Sequence, residues 1–171
     1  MDRIFLIGYM GSGKTTFGRL IAKSQNLMFL DLDTFIEEKY LKSVSELFDE
    51  VGESEFRKME RDALREVCRF ENCLIATGGG TPCFFDNMEL MNKAGETIYL
   101  RTSIDELVDR LKLSRSKRPL LSQQSDAELK EHISQMLNKR EACYMRAKFI
   151  LDTDDLSVNN LTSSFEALFE V

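Results

Sequence analysis

The sequence has 171 residues, of which 43% are hydrophobic and 30% charged, with two prolines and a formal net charge of -6. This length suits one domain with its own core, and the composition excludes a disordered or low-complexity chain. The negative charge argues against a broad nucleic-acid surface, and no apolar run approaches the roughly 20 residues of a membrane-spanning helix.

The residues Met1-Asp2-Arg3 lead directly into an apolar stretch, so we expect no cleavable signal peptide and a cytoplasmic protein. The sequence contains four cysteines and one histidine, namely Cys68, Cys73, Cys83, Cys143 and His132. They form no C-x-x-C pair and no cluster with histidine, so we expect reduced, mostly buried thiols and no zinc site. We also expect a monomer without nucleic-acid or membrane partners.

Five short apolar runs predict the strands of a parallel sheet, because each run is continuous rather than alternating. These runs cover residues 4–7, 27–30, 73–76, 97–100 and 149–151. Stretches with helical periodicity separate the runs, such as the one from Ile104 to Leu111 after Ser103, a possible N-cap. The alternation predicts an α/β class in which helices cover both faces of the sheet. We predict a single domain over residues 1–171.

The first strand is followed by Gly8-Tyr9-Met10-Gly11-Ser12-Gly13-Lys14-Thr15, which fits the Walker A pattern, and then by a predicted helix from Thr16 to Ser24. Backbone N–H groups of such a loop bind phosphates. We predict that Lys14 reaches the β and γ phosphates and that the Thr15 hydroxyl binds Mg²⁺. The predicted ATP-binding residues of this segment are Gly11, Ser12, Gly13, Lys14, Thr15 and Thr16. A purely structural glycine turn is the alternative, and the glycine spacing does not match the dinucleotide pattern G-x-G-x-x-G.

The second strand leads into Asp31-Leu32-Asp33, two carboxylates that we predict on the same side of an extended segment. Because the carboxyl ends of parallel strands line the ligand crevice, both should face the phosphate loop. A kinase needs one carboxylate near the metal and one that orients or deprotonates the attacking hydroxyl. We assign Asp31 to the Mg²⁺ ion and Asp33 to the hydroxyl, as a catalytic residue. A helix cap at Asp33 is the alternative.

A GTPase switch competes with a kinase, because Asp49-Glu-Val-Gly52 matches D-x-x-G and Asn138-Lys-Arg-Glu141 is close to N-K-x-D. The first motif does not end a predicted buried strand. The second lies in the middle of a helical run. Neither is predicted to reach a guanine nucleotide, so the kinase interpretation is favoured.

Two arginines are candidate ligands for an anionic acceptor. Arg57 has Glu53 four residues before it and Glu60 three after it, so a surface ion pair is the alternative to ligand binding. Arg140 interrupts an apolar helical stripe, where an arginine requires a buried anionic partner. The alternative for Arg140 is a side chain that extends to solvent.

A polar, basic region at about 112–125 is long for a connection and predicts a functional loop or lid. We predict that Arg118, stiffened by the proline after it, contacts the transferring phosphoryl group as a catalytic residue, and that Arg110 stacks on adenine. Arg115 and Lys117 are expected to be solvated.

Six motifs resemble those of the shikimate kinase family, in the same order and over nearly the whole chain. They are Gly8 to Thr15, Asp31-x-Asp33, Gly52-Glu53-x-x-Phe56-Arg57-x-x-Glu60, Thr77-Gly78-Gly79-Gly80, Arg118-Pro119-Leu120-Leu121 and Arg140-x-x-x-Tyr144. The resemblance implies transfer of the γ-phosphoryl group of ATP to the 3-hydroxyl of shikimate, in aromatic amino-acid biosynthesis, with one Mg²⁺ ion.

The resemblance also implies a three-layer P-loop kinase fold with a five-stranded parallel sheet of order 2-3-1-4-5, a substrate-binding region at about 33–60 and a mobile lid. It implies a set of shikimate-binding residues in which the arginines grip the carboxylate, namely Asp33, Arg57, Gly78, Gly79, Gly80 and Arg140. Phe48 and Phe56 are then either pocket wall or plain core. Thr77 stands where the general Walker pattern has an aspartate after the third strand, so Asp31 is implied to serve the ion.

Related small-molecule kinases remain the alternative among enzymes, with gluconate and nucleoside monophosphates as acceptors. A non-catalytic nucleotide-binding regulator is the alternative from another functional class.

Overall fold

The computed structural model describes residues 3–113, 125–157 and 160–169, and its centre is a five-stranded parallel sheet of order β2-β3-β1-β4-β5. The strands are β1 (Arg3–Ile7), β2 (Met28–Asp31), β3 (Cys73–Ala76), β4 (Glu96–Arg101) and β5 (Phe149–Asp152). The predicted α/β class, strand order and all five strands are confirmed, each strand to within one residue at either end.

Helices fill the connections between the strands and follow the last strand. They are α1 (Lys14–Ser24), α2 (Leu32–Tyr40), α3 (Val44–Val67), α4 (Asn87–Ala94), α5 (Ile104–Leu113), α6 (Asp126–Tyr144) and α7 (Leu161–Glu166), with 3₁₀ turns at Thr81–Cys83 and Ala167–Phe169. The first turns of α3 and α6 are fixed by capping boxes, in which Ser43 pairs with Glu46 and Ser125 with Glu128.

Strand β1 lies at the middle of the sheet and connects the two halves of the core. Phe5 and Ile7 belong to one apolar cluster, with side chains of α2 to α6, whereas Ile4 and Leu6 belong to the other, with side chains of α1 and α7. All four are fully buried. Because both faces of β1 are covered, the loop that follows it starts from a closely packed part of the fold.

The two sequences that suggested a GTPase lie in helices, which was expected for the second, and the first does not end a strand, as expected. Asp49 to Gly52 is part of α3, which breaks at Gly52, where φ is 76° and ψ is 167°. Asn138 to Glu141 lies inside α6. Neither segment follows a strand, so the guanine-nucleotide interpretation has no structural support.

The predicted lid at about 112–125 overlaps helix ends, because α5 continues to Leu113 and Ser125 caps α6. Arg118, with Arg115 and Lys117, lies outside the described residues, so its predicted contact with the phosphoryl group stays a prediction. None of the helices in the described ranges has an apolar stretch that would reach across a bilayer.

Candidate active site

The glycine loop turns directly from β1 into α1. Gly13 is the N-cap of α1 with φ of 97°, and Lys14 is already the first helical residue, so the predicted start at Thr16 was two residues late. The Lys14 ammonium donates to the carbonyl oxygens of Gly8 and Tyr9, each at 2.8 Å. The loop therefore closes around the lysine, beside the helix N-terminus, where anions are favoured.

A cleft of about 590 Å³ opens next to the loop and joins three of the predicted site segments. Its walls are formed by Met10, Gly11, Gly13, Lys14, Thr15, Thr16, Phe17, Asp31, Asp33, Thr77, Gly78, Gly79, Glu106, Arg110, Leu113 and Leu156. Ser12 is not among these residues, because its side chain is fully buried, and its Oγ has no hydrogen-bond partner in the described part of the chain. The phosphate loop, the two aspartates and the first two glycines of the triplet thus share one cavity.

Asp31 and Asp33 both face this cleft, although the geometry that we predicted for them was wrong. Asp31 ends β2, but Leu32 and Asp33 already form the first turn of α2 rather than an extended segment. Asp31 is also the N-cap, since its Oδ1 accepts from the Asp33 N–H at 3.1 Å, so the alternative of a cap at Asp33 was wrong too. The capping bond keeps the two carboxylates near each other.

Asp33 has an unusual electrostatic environment for a carboxylate. Partial burial raises its pKa to about 6, and the nearby charges of Asp31 and Glu60 act in the same direction, whereas Lys14 opposes them. One of its oxygens lies beside Gly78, 3.0 Å from the position that a Cβ would occupy on that glycine. A carboxylate with a raised pKa is suited to orient a hydroxyl group and accept its proton near neutral pH.

Thr15 and Asp31 offer the oxygen ligands that Mg²⁺ prefers. The Thr15 hydroxyl donates to Asp31 Oδ2 at 2.8 Å, and both side chains line the cleft. Across the described ranges, no three side chains of His, Cys, Asp or Glu form a metal-binding group. A hydroxyl and one carboxylate beside a phosphate loop nevertheless fit an ion that takes most of its ligands from phosphates and water.

Side chains of predicted ligands lie against the glycine triplet after β3. A Cβ on Gly80 would lie 2.8 Å from Arg57 Nη2, and one on Gly79 would lie 3.6 Å from Arg140 Nη1. The first distance is closer than real Cβ atoms come to their neighbours, so only glycine allows Arg57 to pack against this backbone. The triplet therefore lies against Asp33 and both predicted arginines.

Arg57 lies in a largely buried network, so the alternative of a surface ion pair is wrong for its contact with Glu60. Its Nη1 donates to Glu60 Oε2 at 2.9 Å, and the other Glu60 oxygen accepts from the Thr81 hydroxyl at 2.5 Å. Arg57 is 9% exposed and Glu60 only 1%. The guanidinium also packs 4.1 Å from the ring centre of Phe84. This network fixes the orientation of Arg57.

Phe48 and Phe56 stack on each other at 4.3 Å between ring centres, and both lie near the Arg57 guanidinium. Phe56 is buried in the core, whereas Phe48 is partly exposed. Phe48 is therefore the better candidate for pocket wall.

Arg140 lies on α6 with its guanidinium toward the triplet. The guanidinium carbon is 5.9 Å from the ring centre of Tyr9, and the neighbouring Tyr144 hydroxyl donates to Gly79 O at 2.5 Å. In the ranges that the structure describes, no carboxylate forms an ion pair with Arg140. Arg57, in contrast, has Glu60 and Glu53 as partners. Of the two predicted arginines, Arg140 is therefore the one whose positive charge is available to bind an anionic ligand.

Arg110 lies at the edge of the cleft and is held by four groups. Nε donates to Glu106 at 2.7 Å, Nη2 to Thr153 O at 2.8 Å, and Nη1 to Ser12 O at 3.2 Å and to the Thr153 hydroxyl at 3.4 Å. This arrangement fixes the guanidinium between the phosphate loop and the residues after β5. The predicted adenine contact stays a prediction.

Sequence reasoning missed the residues that support the site. Glu60, Thr81, Glu106 and Tyr144 orient the predicted ligands without being singled out for that role. The signal available for Glu60 was its helical spacing from Arg57, but this spacing is equally typical of surface pairs.

The sequence model of one family, described as shikimate kinase, matches residues 10–169. The chain is 48% identical to a shikimate kinase of Bacteroides thetaiotaomicron over 172 aligned residues, covering 100% of this chain and 98% of the relative.

Solved structures agree with this match. A crystal structure of shikimate kinase from Bacteroides thetaiotaomicron has a TM-score of 0.93 and 45% identity, covering 99% of this chain and 98% of the other. A shikimate kinase from Acinetobacter baumannii in complex with shikimate has a TM-score of 0.87 and 30% identity, covering 98% and 92%. The fold, the cleft and these matches agree, and the chain belongs to the shikimate kinase family.

Proposed function

We propose that this chain transfers the γ-phosphoryl group of ATP to the 3-hydroxyl of shikimate, giving shikimate 3-phosphate and ADP. Its family consists of ATP-dependent phosphotransferases, and a relative of the same fold binds shikimate. The observation that carries the proposal is the convergence of Asp33, Arg57 and Arg140 on the glycine triplet. A hydroxylated acid needs a base for its hydroxyl and cations for its carboxylate, and these residues supply both.

On the acceptor side, Asp33 orients the 3-hydroxyl and accepts its proton as the new bond forms. Arg140 and Arg57 bind the carboxylate, and the backbone of Gly78, Gly79 and Gly80 lies along the bound ring. Since phosphoryl transfer requires little covalent chemistry from the protein, holding the hydroxyl in line with the γ phosphate is the main contribution of this half of the site.

On the nucleotide side, the loop amides of Gly11 to Thr16 and the Lys14 ammonium bind the phosphates, Arg110 contacts the adenine, and Arg118 contacts the transferring group. Thr15 and Asp31 would hold one Mg²⁺ ion, which neutralises charge on the phosphate oxygens when it is bound. By analogy with oxyanion donors, each charged contact contributes about 2.7 to 4 kcal/mol to the transition state.

We further propose that residues 1–171 form one kinase domain. In this domain the region of about residues 33–60 binds the acceptor, and the lid of about residues 112–125 closes over the nucleotide. Closure would exclude water, which otherwise competes as phosphoryl acceptor. A cytoplasmic monomer that binds neither nucleic acid nor membranes completes the proposal.

Release of ADP, measured with shikimate, gluconate, AMP and CMP in parallel, tests the acceptor. We expect turnover with shikimate only, and the Lys14→Ala variant purified in the same way gives the contaminating background. Turnover with gluconate or a nucleotide instead would assign a related kinase. ADP release with none of the four would favour a regulatory nucleotide-binding protein.

The pKa of Asp33 predicts how the rate depends on pH. Because that pKa is raised to about 6 and the carboxylate is the active form, kcat/KM for shikimate should fall as the pH drops through about 6. The rate falls at low pH because protonation of Asp33 removes the group that accepts the hydroxyl proton. ATP phosphates titrate in a similar range, so the direct measurement is ¹³C NMR of the Asp33 carboxyl, assigned by its loss in Asp33→Asn. A midpoint near 4 would contradict the prediction.

Replacing Arg140 with alanine should mainly weaken acceptor binding. Since Arg140 has no ion-pair partner in the described ranges, its charge is available to the shikimate carboxylate, and we expect KM for shikimate to rise at least about tenfold. KM for ATP should change little. Lys139→Ala removes the same charge from the exposed neighbouring position and serves as the control. An unchanged KM for shikimate in Arg140→Ala would assign Arg140 a structural role.

A further inference from the structure

Two cysteines meet beside the glycine triplet, where the 3₁₀ turn Thr81–Cys83 contacts the end of α6. The Cys143 Sγ lies 2.8 Å from the carbonyl oxygen of Pro82, the residue that immediately precedes Cys83. The two thiols are close enough that each shifts the pKa of the other. Both side chains are partly exposed, which corrects the expectation of mostly buried thiols. A small oxidant therefore has access to an adjacent pair of thiols.

The contact makes the two thiols chemically unequal. The pKa of Cys143 is lowered, chiefly because the Cys83 thiol donates to its sulfur, and Arg146 adds positive charge nearby. The pKa of Cys83 is raised by the same hydrogen bond and by burial. A thiolate is the nucleophile in thiol oxidation, so Cys143 is the attacking sulfur and Cys83 the resolving one.

The other two cysteines provide an internal comparison. Burial raises the pKa of Cys68 to about 11 and also raises that of Cys73. Cys73 is fully buried in the core, and its sulfur contacts the carbonyl oxygen of Phe70. Both therefore remain thiols at neutral pH and react slowly.

We propose that Cys83 and Cys143 are a modification site at which a hydroperoxide forms a reversible disulfide, and that this disulfide weakens binding of the acidic acceptor. In the first step the Cys143 thiolate attacks the terminal peroxide oxygen and the O–O bond breaks. The sulfur keeps one oxygen as a sulfenic acid, and the other oxygen takes a proton from solvent and leaves as an alcohol, or as water when the oxidant is hydrogen peroxide. In the second step the Cys83 thiol displaces that hydroxyl as water, giving the S–S bond. Two electrons pass from the thiol pair to the peroxide, and a dithiol reductant returns them.

The disulfide affects the acceptor site because it would link the two segments that contain predicted acceptor-binding residues. Arg140 lies one turn before Cys143 on α6, and Gly80 lies one residue before the Thr81–Cys83 turn. Bringing the sulfurs to about 2.05 Å pulls these segments together. Gly80 is already packed against Arg57, so it cannot shift without disturbing that guanidinium. The phosphate loop belongs to neither segment, so we expect ATP binding to be spared.

The disulfide is tested by treating the whole protein with hydrogen peroxide and mapping its peptides without reduction. We expect a linked Cys83–Cys143 peptide pair that disappears with dithiothreitol, while Cys68 and Cys73 stay reduced. In Cys83→Ser, dimedone should label a sulfenic acid at Cys143, whereas in Cys143→Ser no such label should appear at Cys83. The Cys68→Ser variant is the matched control and should still form the link. Absence of the linked pair in the wild type and the control would overturn the proposal.

The effect on binding rests on the proposed function and is measured separately. Oxidised wild type should have a KM for shikimate at least about fivefold higher, because misplacing binding groups by ~1 Å has large effects. KM for ATP should stay constant, dithiothreitol should restore the original value, and Cys83→Ser should not respond. If the Cys83–Cys143 disulfide forms but KM for shikimate does not change, the proposed effect of the disulfide on acceptor binding is wrong. Absence of shikimate turnover in the reduced enzyme would instead refute the proposed function and leave the disulfide result intact.

Discussion

Replacing Asp33 with asparagine is expected to lower kcat by at least about a hundredfold while leaving ATP affinity nearly unchanged. The amide keeps the shape of the side chain but does not accept the proton of the 3-hydroxyl. Steady-state rates at saturating shikimate and ATP measure the effect. Glu38→Gln makes the same kind of change at an exposed position of α2 and should retain full activity. Full turnover by Asp33→Asn would remove the proposed role of this carboxylate.

The same substitution should not weaken the fold, which separates a catalytic defect from a folding defect. Because the pKa of Asp33 is raised to about 6 in the folded protein, its ionisation opposes folding as the pH rises through that value. The neutral amide removes this unfavourable charge next to Asp31 and Glu60. At pH 7 the unfolding temperature of Asp33→Asn should therefore equal or exceed that of the wild type.

Replacing Lys14 with alanine is expected to have the largest effect on turnover, a fall in kcat of at least about a thousandfold. The ammonium is the positive charge held within the loop itself, and negative charge builds up on the oxygen that leaves with the β phosphate during transfer. Discontinuous ADP measurement over hours is needed to detect the residual rate. Lys23→Ala, in the exposed last turn of α1, removes the same charge and should be fully active.

Lys14 also has a structural contact, because it donates to the carbonyl oxygens of Gly8 and Tyr9. Circular dichroism and thermal melting should therefore accompany the kinetics, and we expect a folded variant. Substantial activity in a folded Lys14→Ala protein would contradict the assignment of the loop to the triphosphate.

The fold was largely predictable because its strands are buried on both faces. A continuous apolar run such as Ile4 to Ile7 is typical of a strand covered by helices above and below, and the strand boundaries were accurate to one residue. The order of the strands did not follow from periodicity, and was supplied by the resemblance. Pairing between strands depends on which helices cover which face, and a local pattern carries no such information.

The errors at the site had a common origin. Local sequence rules were applied to residues whose conformation and burial are determined by tertiary contacts. The two-residue spacing of Asp31 and Asp33 was interpreted as a strand, yet a carboxylate at that point caps a helix instead. The spacing of Arg57 and Glu60 suggested a surface pair, but Thr81 and Gly80 approach from a distant segment and bury it. The contact between Cys83 and Cys143 was invisible for the same reason.

The central position of β1 has a consequence for how the chain reaches its folded state. Its two neighbours are β3 and β4, so Arg3 pairs with Cys73 and Ile4 with Glu96. During synthesis this apolar strand is made before its partners, which lie far along the chain. Strand pairings between residues so distant in sequence slow folding, and the apolar strands stay exposed to solvent until they pair. The strand that precedes the nucleotide loop is thus also a segment of the nascent chain that requires protection from aggregation.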